Sequence, residues 1–191
     1  MSLAIPTLSP AQRQELLRLA RLTLEKVLRG EPEMDPDTDY AVSDPVLERP
    51  AGAFVTITRK GILRGCVGYS EPLFPLHLTV SRCVRSAATE DPRFPPVQSD
   101  GLPELCLSIS LLSALRKVER FDEIEIGRDG LQVSSARHRG LLLPQVATEQ
   151  GWDREQFLDG VCRKAGLPEG AWRGDGVEVF AFQAEVFSES S

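Results

Sequence analysis

The sequence predicts an α+β fold: a single domain of two duplicated hairpin–helix–strand units sharing one curved, mostly antiparallel sheet, with an additional N-terminal helix. Three observations predict it. Runs rich in β-branched residues come in pairs joined by short turns. Each pair is followed by an apolar stripe at helical spacing and then by another strand. The same order returns some 78 residues later. Two such units, each with one apolar face, share a core more readily than they fold apart. A chain of 191 residues buries roughly 70% of its extended surface, so it needs no disulfide or metal staple.

The first element is an amphipathic helix. Ser9 and Gln12 form a capping box around Pro10, Leu16 to Leu28 carry the stripe, and Gly30 closes the end. Residues 9–50 comprise this helix and an acidic, proline-punctuated loop with short helical pieces. The first repeat occupies 52–115. Phe54 to Thr58 is a strand, Arg59-Lys60-Gly61 a turn, and Ile62 to Val67 a second strand. Leu76, Val80, Cys83, Val84 and Ala87 make a helix that ends before Pro92. Leu105 to Leu111 alternates into a third strand. The second repeat occupies 130–187. Gly130 to Val133 and Leu141 to Val146 are its hairpin, Asp153 to Ala165 its capped helix, and Val177 to Val186 its last strand. This alignment sets Leu143, Pro144 and Gln145 opposite the Arg64-Gly65-Cys66 segment.

Composition excludes several function classes. The 41% hydrophobic and 26% charged content is that of an ordinary globular protein. No apolar run approaches the ~18 residues of a membrane span, and Met1 to Pro10 lack the basic and apolar regions of a secretory signal. A cytoplasmic location is expected. The net charge of −6 comes from six acids between residues 31 and 44, a stretch without Lys or Arg; elsewhere acids and bases balance. Nucleic acid is an unexpected partner, because polyanion binding needs a clustered cationic face. Cys66, Cys83, Cys106 and Cys162 are scattered without a Cys-x-x-Cys pair, so neither a disulfide framework nor a zinc site is expected. No phosphate-cradling loop and no nucleophile elbow is present, and no cofactor is expected.

Chemistry concentrates at Leu63-Arg64-Gly65-Cys66-Val67-Gly68. Residues two apart on a strand share a face about 6.6 Å apart, so Arg64 is expected beside Cys66, where a cation favours the thiolate. Gly65 and Gly68 leave room for another backbone or a ligand. Six basic residues against three acids between Ala53 and Val97 favour an anionic ligand such as a phosphate or carboxylate. His77 and His138 are read as surface or capping residues.

These segments resemble the AMMECR-type domain family, named from the Alport syndrome, midface hypoplasia and elliptocytosis gene region. The resemblance rests on Phe54-Val55-Thr56, Leu63 to Gly68, Asp91-Pro92-Arg93-Phe94-Pro95-Pro96, Ile109 to Leu112, Leu141 to Ala147, Gly151-Trp152 and Lys164 to Pro168. Val67 replaces a more usual isoleucine. The resemblance implies duplicated units on one curved sheet and a cleft lined by the Leu-Arg-Gly-Cys segment. It also implies association with Memo-like and radical-SAM proteins in microbes.

The expected function is a cytoplasmic enzyme or enzyme subunit with Cys66 as nucleophile or redox thiol. Arg64 would stabilise the thiolate and Arg93 would orient an anionic substrate. The alternative is a non-catalytic ligand-, nucleotide- or protein-binding module. The Asp91 to Pro96 loop is expected to wall the cleft, with Asp91 paired to Arg64 or Arg93 and Phe94 packed inward.

Overall fold

Ser9 Oγ accepts from the Gln12 N–H at 3.3 Å, and Gln12 Oε1 accepts from the Ser9 N–H at 2.7 Å. Helix α1 (Pro10–Leu28) therefore starts on the expected capping box. The computed structural model describes residues 8–32 and 44–189; most of the acidic segment 31–44 lies outside the described residues. The described residues divide into two compact units, one holding 8–32, 44–112 and 185–189, the other 113–184.

In the first unit, β1 (Ala53–Arg59) lies between β2 (Ile62–Tyr69) and β3 (Leu105–Leu112), antiparallel to both. The β1–β2 turn is Lys60-Gly61, with φ of 52° and 77°. Positive φ at both positions matches the right-handed twist of a two-residue hairpin, which explains the glycine. Val55, Ile57, Leu107, Ile109 and Leu111 are fully buried on one face. Against that face packs α2 (Leu76–Thr89), through Val80, Cys83, Val84 and Ala87, and α1 packs on α2. Burying these side chains is worth roughly 1.5–3 kcal/mol each for the larger ones, which is the source of the unit's stability.

The β1–β2 ladder is not regular. Ile57 pairs with Gly65, but Thr58 pairs with Leu63, leaving Arg64 as the extra residue of a β-bulge. Gly65 sits directly beneath α2. A Cβ there would lie 1.9 Å from the Ala87 carbonyl oxygen, so only glycine lets the helix settle onto this strand.

The second unit contains β4 (Arg116–Lys117), β5 (Asp129–Ser134), β6 (Arg139–Leu142), α3 (Pro144–Gln150), α4 (Arg154–Lys164) and β7 (Glu178–Ser188), whose last four residues belong to the first unit. Strand β5 pairs antiparallel with β6 and β7, and β4 pairs with β7. Phe157, Leu158, Val161 and Cys162 of α4 pack with Leu131, Val133, Ile124 and Trp172. The Asp153–Gln156 capping box starts α4 as the sequence predicts.

Two expectations are corrected here. The strand read as Leu141 to Val146 stops at Leu142, because Pro144 opens the short helix α3, and proline's fixed φ suits a first helical position. The alignment of the two repeats changes with it. Gly140 pairs with Val133, and a Cβ on it would lie 2.5 Å from the Ala165 backbone nitrogen. Gly140 thus does under α4 what Gly65 does under α2. Leu141, not Gln145, takes the place of Cys66, and the bulge residue Arg64 has no counterpart in the β5–β6 ladder.

Candidate functional site

Cys66 pairs with Thr56 across the hairpin, on the face of the sheet opposite α2. It is half-buried, and its Sγ accepts a hydrogen bond from Thr56 Oγ1 at 3.3 Å. The sequence offered no sign of Thr56; its part follows only from the pairing register.

Strand β2 is the edge of the first unit's three strands, so the outward N–H and C=O of Cys66 have no ladder partner. The 91–96 loop supplies both. Asp91 Oδ2 accepts from the Cys66 N–H at 2.9 Å, and Arg93 Nη2 donates to the Cys66 carbonyl at 3.1 Å. The two side chains grip each other in parallel, Arg93 Nε to Asp91 Oδ1 at 2.9 Å and Nη2 to Oδ2 at 2.7 Å. This ion pair takes the place of one residue of a neighbouring strand. Asp91 is 5% exposed, and Arg93's hydrogen bonds hold its carboxyl well below the usual carboxylate range, against burial and with help from the Cys66 N–H. Asp91 in turn raises the Arg93 pKa, to which the nearby Cys66 adds.

The bulge separates the two residues expected to act together. After the extra residue, Arg64 joins Arg59 and Leu105 on the α2 side, where Pro95, Pro96 and Gln98 complete a pocket of about 220 Å³. Strict alternation, which set Arg64 beside Cys66, fails because the bulge adds one residue to β2. The cation at Cys66 is Arg93. The two glycines are filled by the protein itself: Gly65 by Ala87, and Gly68 by the Phe54 ring, which a Cβ would approach to 2.2 Å. Phe94 is half-buried, with the Arg93 guanidinium 5.3 Å from its ring centre.

His77 is 1% exposed, its Nδ1 at 3.0 Å from the Leu47 carbonyl, so it ties the 44–50 segment to α2 instead of lying at the surface. His138 closes the β5–β6 turn, its N–H donating to Ser135 Oγ. Cys83 is fully buried, and burial pushes its thiol up to about 12; burial also raises Cys162. Among the described residues, no cluster of three or more His, Cys, Asp or Glu is arranged to hold a metal, and no helix is long and apolar enough to cross a membrane.

Paired hairpin–helix–strand units, with an Arg-Gly-Cys strand edged by an Asp–Arg clamp, make this an α+β protein. The AMMECR1 family model matches residues 17–187, and the chain belongs to that family. A protein of Thermofilum pendens is 40% identical over 96% of this chain and 92% of its own length. Protein PF1979 of Pyrococcus furiosus is 40% identical over 91% of this chain and 86% of its own. The crystal structure of uncharacterized protein PH0010 from Pyrococcus horikoshii superposes with a TM-score of 0.85 at 39% identity, covering 92% of this chain and 90% of that one.

Proposed function

We propose that this protein is an enzyme or enzyme subunit whose reactive group is the Cys66 thiol, acting on a small substrate with an anionic group. One observation carries the reading: a half-buried thiol accepts from a hydroxyl, and the backbone carbonyl of the same residue accepts from a guanidinium fixed by a buried carboxylate. A partly accessible thiol flanked by a hydroxyl donor and a cation has the surroundings in which cysteine nucleophiles work. Arg93 keeps a partly exposed head, so it can also meet a carboxylate or phosphate on the substrate.

Iodoacetamide labelling of the native protein tests this. Cys66 is expected to react fastest at neutral pH, with Cys83 and Cys162 protected until the chain unfolds. Arg93→Gln should slow Cys66 labelling several-fold. A Cys66 that stays unlabelled, or reacts equally fast in the variant, removes the thiol from the mechanism.

A second reading, a binding module without chemistry, is favoured by the Arg64 pocket. It faces away from Cys66 and is walled by prolines that limit its movement. Cys66→Ser separates the two. A folded variant that loses function supports thiol chemistry, and one that keeps it supports the module. The Memo-like and radical-SAM partners belong to this proposal, and co-purification with such proteins tests them.

A further inference from the structure

A pocket lies away from Cys66, between α1 and the end of β7. It measures about 590 Å³, within the range of small-molecule sites. Leu17, Leu22 and Phe187 form its apolar floor, each half-buried. Three arginines of α1, Arg13, Arg18 and Arg21, stand along one side, spaced three to five residues apart. Two acids answer them. Glu189 grips Arg21, with Nε to Oε1 at 2.8 Å, and also accepts from the Leu107 N–H at 2.9 Å; Glu185 pairs with Arg13. Two donors remain. Arg18 is exposed and has no partner among the described residues, and Arg13 Nε is buried without a hydrogen bond.

An apolar trough of this size with one uncompensated cation at its rim has the complementarity of an amphiphilic anion. We infer that this groove binds a single-chain acyl carboxylate, its tail along Leu17, Leu22 and Phe187 and its carboxylate at Arg18. Arg13 and Arg21 contribute their aliphatic stems to the wall while their heads stay with Glu185 and Glu189. The site is independent of the Cys66 proposal.

Calorimetric titration of the full chain with laurate, below its micelle concentration, tests the inference, with acetate and dodecanol as head-only and tail-only controls. Laurate is expected to bind one per chain, acetate not at all, and dodecanol at least tenfold more weakly. Arg18→Gln should weaken laurate about tenfold without changing dodecanol, and Leu17→Asp should abolish laurate binding. Both positions are at least partly exposed, and unchanged circular dichroism confirms folding. Cys66→Ser should bind laurate as wild type does. Absent laurate binding, or binding indifferent to both variants, overturns the inference. So does a wild-type dimer that Leu17→Asp converts to monomer without any laurate uptake, because a second copy then fills the groove.

Discussion

Gly65→Ala is expected to destabilise the protein by about 3 kcal/mol or more, toward the upper end of overpacking effects. The added methyl would lie 1.9 Å from the Ala87 carbonyl oxygen and 2.8 Å from its carbon. Both are backbone atoms in the last turns of α2, so no rotamer change relieves the overlap. Either α2 lifts from the sheet, uncovering Val55, Ile57 and Val84, or β2 leaves its ladder. Gly61→Ala is the control. Gly61 has φ of 77° but open space around it, so its substitution carries only the left-handed backbone penalty of about 1 kcal/mol. Urea midpoints of the two variants at constant m-value read the difference directly. Equal midpoints would show that α2 does not rest on Gly65.

Removing the Asp91 carboxylate is the second large change. Asp91→Ala is expected to cost about 3 kcal/mol, because four hydrogen bonds converge on this one buried group. Its effect has a pH signature. The folded carboxyl titrates below its unfolded value of about 3.9. As the pH falls, the unfolded chain therefore takes up the proton first. The contribution of the charge is full above about pH 5 and is lost as pH falls below about 4. The stability advantage of wild type over Asp91→Asn should shrink across that range. An advantage constant from pH 7 to pH 3 would mean that the charge of Asp91 does not hold the clamp. Hydrogen exchange at the Cys66 amide gives the local readout and should accelerate in Asp91→Ala, since the edge N–H loses its acceptor.

The capping boxes at Ser9 and Asp153, the Lys60-Gly61 turn and the alternating strands are local matters, settled by a few neighbouring residues, and each was legible in the sequence. The pairing of Asp91 with an arginine was legible too, with Arg64 and Arg93 both open; the fold selects Arg93. The errors fall where spacing alone is a poor guide. The apolar run predicts a strand from Leu141 to Val146, but the preference of Pro144 for a first helical turn outweighs it. The match of Gln145 to Cys66 followed from it.

Arg64 shows the same limit at the site. Period-two alternation holds only while the ladder is regular, and a single extra residue sends every side chain beyond it to the other face. The bulge shows only in the β1–β2 register, where Thr58 pairs with Leu63 and Ile57 with Gly65, and it sits where Gly65 meets Ala87 of α2, a contact far along the chain that no local pattern encodes. The sequence determined that an arginine, a glycine and a cysteine stand together on one strand. Tertiary packing decided that Arg93, arriving from the loop after α2, is the cation beside the thiol.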